Sequence, residues 1–305
     1  MKQVIRYFVA IALGLAPLTL VSSSVASAAS VPSCIVSLSP TATETLFAIG
    51  AGPQVQAVDN DSDYPTHGLP KKRINALSPN AESVAGICST KNGHSTKPDL
   101  VVISYNANSI AEHLTALGIK VVEQDAATSV TSALSQIKAL GALTGHVTKA
   151  DALANSLQAT IKKDVKSVPA HASKKLTVYY ELDPTLYSIA SSTFVGALLK
   201  SLGVINVADA QSSAADAGYP QLSREYLVSA NPKLVFLADT ICCDVNAKNF
   251  AKRSGFSSMS AVKYGHVVGL NDDIASRWGP RLGTLMNDLT RGVKSALNDA
   301  RLWKS

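Results

Sequence analysis

Several kinds of signal are missing from this chain, and each absence removes a class of function. Beyond residue 29 no stretch is apolar enough to cross a bilayer. The only dense basic run, Lys71-Lys72-Arg73, lacks the interleaved aromatic residues of a single-strand binding platform, so no nucleic-acid partner is implied. There is no nucleophile elbow, no paired-histidine zinc motif and no phosphate loop. An enzyme reading would have to rest on Ser37, Ser39 and His67, which have only nearness in sequence to recommend them. His67, His94, His113, His146, His171 and His266 show no paired spacing, and the cysteines lack the short repeated intervals of a zinc site. No metal site is expected.

The first residues carry the clearest targeting signal. Residues 1–29 start with Lys2 and Arg6, continue through an apolar run from Tyr7 to Val21 broken by Pro17, and end in the small residues Val25-Ala26-Ser27-Ala28-Ala29. This predicts an export signal cleaved after Ala28 or Ala29. Its apolar run of about 15 residues is shorter than the ~20 a spanning helix needs. No lipobox follows, because Cys34 is preceded by Val31-Pro32-Ser33. The mature chain is therefore expected to be exported and soluble, in a periplasm or at the outer face of the membrane. Without Lys2 and Arg6, the 28 basic residues become 26 against 22 acidic ones, a formal charge of +4 that implies no polyanionic partner.

Four cysteines in an exported protein permit two disulfides in three pairings. Cys34 opens the first expected strand and Cys88 precedes the strand at Leu100, so both fall at the starting edge of a sheet, and Cys34–Cys88 is the preferred bridge. Cys242-Cys243 could form a vicinal disulfide, remain as thiols or contact a ligand.

One grammar appears twice. Val36-Ser37-Leu38-Ser39-Pro40-Thr41, Leu46-Phe47-Ala48-Ile49-Gly50, Leu77-Ser78-Pro79-Asn80-Ala81-Glu82 and Pro98-Asp99-Leu100-Val101 are answered by Glu181-Leu182-Asp183-Pro184-Thr185, Leu198-Leu199-Lys200-Ser201-Leu202-Gly203, Leu222-Ser223-Arg224-Glu225 and Asn231-Pro232-Lys233-Leu234-Val235. Short β-branched runs at 35–38, 100–103, 120–123, 176–180, 234–237 and 267–270 alternate with helix-like segments. That alternation predicts an α/β fold of two Rossmann-like lobes with central parallel sheets and a ligand cleft between them. Thr41-Ala42-Thr43-Glu44 reads as a capping box, and Ser78-Pro79 as a cap followed by proline at the first helical position. Apolar residues at Ala150, Leu153, Leu157, Ile161 and Val165 recur at three- and four-residue spacing up to Pro169, predicting one long bridging helix. The expected division is an N-terminal lobe at 31–142, the bridge at 143–169 and a C-terminal lobe at 170–305. A single stiff bridge predicts small lobe motions.

With these motifs in order, the chain resembles a class III substrate-binding protein of an ABC importer, the group that delivers cobalamin, ferric siderophores or haem. The resemblance rests on Ser39-Pro40-Thr41-Ala42-Thr43-Glu44, Asp63-Tyr64-Pro65, Pro98-Asp99-Leu100-Val101, Ala116-Leu117-Gly118-Ile119, Tyr219-Pro220-Gln221-Leu222-Ser223-Arg224-Glu225 and Ser276-Arg277-Trp278-Gly279-Pro280-Arg281, and spans the mature chain. It implies a monomer that docks on a permease dimer through one glutamate per lobe, here Glu82 and Glu225. A carboxylate suits this role because an arginine fork binds it bidentately. It also implies no intrinsic cofactor, any metal arriving inside the ligand.

Ligand is expected at the carboxyl ends of the strands. The candidates there are Tyr105, Tyr187, Tyr219, Asp273, Arg277 and Trp278, with aromatic faces covering a planar or apolar ligand and Arg277 neutralising an anionic one. Arg281 is expected to open the last helix, braced by local carboxylates, and Tyr64 either joins the site or fixes its loop through Asp63 and Pro65. Cobalamin binders of this group carry aromatic residues just ahead of the Asp-Tyr-Pro motif and before the first docking glutamate, where this chain has Asp61 and Ala76-Leu77. The ligand stays open between a corrinoid and an iron siderophore. The alternatives are a detached sensor or scavenger of the same fold, a haem receptor and a secreted hydrolase.

Overall fold

Strands buried on both faces read as short continuous apolar runs, and such runs form the centre of each half of this protein. The computed structural model describes residues 30–88, 97–169 and 175–304. The expected export signal, with His94 and His171, lies outside the described residues. Strands β1 (Ile35–Leu38), β2 (Val55–Asp59), β3 (Arg73–Ile74), β4 (Leu100–Ile103) and β5 (Val121–Glu123) form a sheet in the order β3-β2-β1-β4-β5. Strands β6 (Thr177–Glu181), β7 (Ile205–Asn206), β8 (Leu234–Leu237) and β9 (Val267–Gly269) form a second, in the order β7-β6-β8-β9. Every pairing within the sheets is parallel. β1 pairs with β2 and β4 as β6 pairs with β7 and β8, so the sequence duplication is a duplication of topology.

The helices are α1 (Pro40–Ala48), α2 (Ala81–Ala85), α3 (Ile110–Ala116), α4 (Val130–Thr144), α5 (Val147–Ser167), α6 (Phe194–Ser201), α7 (Arg224–Ala230), α8 (Ala247–Ala251), α9 (Ser260–Tyr264), α10 (Asp272–Ser276) and α11 (Leu282–Asn298). Two expected caps are corrected. Ser39 rather than Thr41 caps α1, its Oγ accepting from the Ala42 N–H, with Pro40 as the first helical residue. Asn80 rather than Ser78 caps α2, accepting from the Ser83 N–H. The expected bridging helix also starts later. Residues 143 and 144 belong to α4, and Gly145, at φ +77, ends that helix in the left-handed region that glycine enters at no steric cost.

The bridge is more than one helix. α5 packs between α4 and α11, and a side chain at Gly141 would collide with Ala150, so glycine is what lets α4 and α5 approach. One apolar core runs through all three: Ile35 and Leu46 from the first half, Ile137, Leu157 and Ile161 in the middle, Phe236 and Leu289 from the second. A core shared by both sheets resists wide opening, because separating them would return this surface to water at roughly 25 cal/mol per Å².

Cys34 and Cys88 are buried and joined, with Cα atoms 6.3 Å apart. The bridge ties the start of β1 to the end of the α2 segment. The Cys34→Ser/Cys88→Ser double variant should lose about 2–4 kcal/mol of unfolding free energy in urea titration, given the 54-residue separation the bridge closes.

Candidate functional site

At the carboxyl ends of the strands the two halves meet over a charged clasp. Glu44, on α1 and 2% exposed, accepts from Arg277 Nη1 at 2.9 Å and from Arg281 through Nε at 2.9 Å and Nη2 at 2.6 Å. Arg277 lies just past α10 in the other half. Its Nη1 also donates to Asp63 at 2.5 Å, and its Nη2 to Asp273 at 2.7 Å and to the Asp61 carbonyl at 2.9 Å. Burial works against the Arg277 charge, but its hydrogen bonds to Asp63 and Glu44 outweigh that and hold it protonated. Asp63 is likewise partly desolvated, and Arg277 pulls its carboxyl below the ordinary range. Asp273 is pushed upward by burial and by Asp63 beside it.

The loop after β2 is braced from below. Asp59 accepts from the Asp61 N–H and from Ser62 Oγ, which in turn contacts Thr43 at 2.8 Å. Arg73 donates to the carbonyls of Asp59 and Ser62. The Arg281 guanidinium lies 4.4 Å from the Tyr64 ring centroid, so Tyr64 is a wall of the clasp. Trp278 crosses to the first half, its Nε1 donating to Gln136 Oε1 at 2.7 Å.

Two chambers flank this clasp and share Ser276, Arg277 and Trp278. The larger, about 320 Å³, has mostly apolar walls that include Tyr180, Leu182, Ile189, Phe194 and Ala238. The smaller, about 260 Å³, is lined by Ser39, Pro40, Asp61, Ser104 and Asp273. Of the expected ligand residues, Tyr219 lines the larger chamber, Asp273 the smaller, and Arg277 and Trp278 both. Tyr187, whose backbone bridges to Gln221, and Tyr105, 68% exposed, line neither. Two charge expectations are corrected. Arg277 is paired with three carboxylates instead of standing ready for an anion, and Arg281 is held by Glu44, which is 237 residues away rather than local.

Cys242 also lines the larger chamber and is joined to Cys243 as a vicinal disulfide, the first of the three states open to that pair. Its loop is anchored by Asp272, which accepts from the N–H groups of Thr240, Ile241 and Cys242 and from Thr240 Oγ1. Behind this loop lies a buried carboxyl pair that sequence reading missed. Glu181 accepts from Arg253 at 2.8 Å and from the Tyr179 hydroxyl at 3.1 Å, whereas neither oxygen of the neighbouring Asp239 receives a protein donor. Burial, and then the adjacent Glu181, raises Asp239 to about 7.

Glu82 and Glu225 are exposed and stand at the second position of α2 and α7, each behind a side-chain cap from Asn80 or Ser223. α2 precedes β4 as α7 precedes β8, so the carboxylates occupy equivalent places in the two halves. Neither makes an ion pair among the described residues.

Glu44→Gln should destabilise the protein by about 3–5 kcal/mol in denaturant titration, because it removes the charge opposite the buried Arg277 and the half-buried Arg281 guanidiniums. Asp239 gives a pH signature. Between its ordinary value of 3.8 and about 7 the folded protein holds a proton that the unfolded chain releases, so this group's contribution to stability falls as pH rises through that window. Asp239→Asn should flatten the fall, measured as urea midpoints at about pH 5 and about pH 8.

The model of the family described as "Periplasmic binding protein" matches residues 35–274. A Bacillus subtilis protein named as an uncharacterized ABC transporter substrate-binding lipoprotein is 30% identical over 271 residues, covering 86% of this chain and 80% of its own. A Halobacterium salinarum protein named as cobalamin-binding is 28% identical, over 82% of this chain and 66% of its own. Among solved structures, one from Staphylococcus epidermidis, described as a possible iron-binding (periplasmic solute-binding) protein, superposes with a TM-score of 0.72 at 27% identity, over 87% of this chain and 99% of that one. The cleft between two parallel-sheet lobes is thus the cleft of a known group of binding proteins, and this chain belongs to the periplasmic binding protein family.

Proposed function

We propose that this protein is the extracytoplasmic receptor of an ABC importer, capturing a corrinoid or iron-siderophore chelate between its lobes and handing it to a permease dimer. The observation that carries the reading is the pair Glu82 and Glu225, exposed at equivalent helix starts and free of cations among the described residues. Two carboxylates so placed suit the arginines of a two-subunit partner. The relatives named for substrate binding and for cobalamin binding support the same role.

The receptor works by binding, as a monomer without catalysis or an intrinsic cofactor, and its metal arrives inside the ligand. No histidine lines either chamber among the described residues, so Ser39, Ser104 and Ser276 have no imidazole base there. Cys34 is tied to Cys88 inside the fold, which argues against lipid attachment there and for an exported protein held by other means, in a periplasm or at the outer face of the membrane. Release requires the permease to pull on the Glu44 clasp, since the shared core holds the lobes together.

The Glu82→Lys/Glu225→Lys double variant tests docking. Its affinity for a chelate, read by tryptophan fluorescence, should stay within about twofold of wild type, while uptake in cells carrying the importer falls more than about tenfold. Normal uptake by that variant overturns the docking assignment.

A further inference from the structure

The cation expected to meet an anionic ligand is already engaged within the clasp. Among the described residues Arg277 is the only basic one lining either chamber, and both terminal nitrogens of its guanidinium are taken by Glu44, Asp63, Asp273 and the Asp61 carbonyl. Arg281 is bidentate to Glu44, and Arg73 is turned onto backbone carbonyls and lines neither chamber. The acidic side has more to offer. Asp61 is exposed, lines the smaller chamber and accepts no hydrogen bond at its carboxylate among the described residues. Counting the clasp and both walls, five carboxyls (Glu44, Asp61, Asp63, Asp272, Asp273) face two guanidiniums (Arg277, Arg281). One shared proton between Asp63 and Asp273 would still leave this excess negative.

We infer that the cleft selects a neutral or cationic metal chelate with an apolar face and rejects anionic ones, with Asp61 as the residue that sets the charge preference. The inference rests on the receptor reading above and narrows its ligand class. An anionic chelate entering here would lose its hydration without gaining a counter-ion, and the carboxylate excess would repel it. A neutral or cationic chelate meets no such opposition. Its apolar face can lie along Tyr180, Leu182 and Phe194, while a positive or amide N–H edge reaches Asp61. Discrimination then comes from repulsion of the wrong ligand as well as attraction of the right one.

The test titrates the purified protein with four coloured chelates and reads quenching of tryptophan fluorescence. The probes are ferrioxamine B, a ferric hydroxamate carrying one ammonium group; cyanocobalamin, without net charge; haemin, with two propionates; and ferric enterobactin, a polyanionic catecholate. Ferrioxamine B or cyanocobalamin should bind at least about tenfold more tightly than either anionic probe. Asp61→Lys should erase or reverse that ratio, and Asp61→Asn should weaken the cationic probe by several-fold while leaving the neutral one unchanged. Both substitutions alter an exposed carboxylate, so their thermal midpoints should match wild type. Equal or tighter binding of an anionic probe to the wild type, or an affinity ratio untouched by Asp61→Lys, overturns the charge assignment and leaves the receptor reading intact. Silence from all four probes removes the receptor reading and this inference with it.

Discussion

Glu44 lies on the first helix of one lobe and accepts three hydrogen bonds from two arginines of the other, almost wholly out of reach of solvent. Desolvating such a group costs several kcal/mol, so a buried ion cluster is weak evidence of added stability and stronger evidence of fixed geometry. Here the geometry fixed is the distance and angle between the lobes. The clasp closes one side of their contact, and the apolar core through α4, α5 and α11 closes the other. It also shapes the cleft. Arg277 faces both chambers with both terminal nitrogens already engaged, and Trp278, one residue on, is held by Gln136 as a fixed wall.

The other features follow from the parallel sheets. Parallel strands present their following loops at one end, so the segments after β1, β2, β4, β6, β8 and β9 converge on the same cleft. Helices that return the chain to the sheet place Glu82 and Glu225 at their starts, away from the residues that line the chambers. In the proposed function, capture and docking use separate groups on one frame. The buried Glu181–Asp239 pair stands behind the loop that carries the vicinal disulfide and makes that side of the frame sensitive to pH.

Much of this was legible in the sequence because burial on both faces writes itself as an apolar run. Ile35–Leu38, Leu100–Ile103 and Leu234–Leu237 stand out for that reason. β2 was not visible because Gln56 and Asp59 interrupt it, and β3 and β7, at two residues each, are too short to carry a period. The duplicated grammar disclosed both lobes and both exposed glutamates. Glu44 was misread as a local cap because its partners lie 233 and 237 residues away, and no short-range pattern encodes such a pairing. Trp278 was legible as a bulky aromatic in a Gly-Pro loop, whereas Tyr180, Ile189 and Phe194 carry no local pattern that sets them apart from core residues. Tyr105 and Tyr187 stand exposed outside both chambers, since a tyrosine after a strand can as well face solvent.

The most direct measurement is the distance between the lobes with and without a bound chelate, by electron paramagnetic resonance. Genetically encoded labels at the exposed positions Ser83 and Arg224 would leave the four cysteines undisturbed. With the Glu44 clasp and the shared core in place, loading should change the mean distance by no more than about 2 Å. A change of about 10 Å or more would mean that the lobes swing on a hinge, and would contradict the account of a cleft held ready by Glu44.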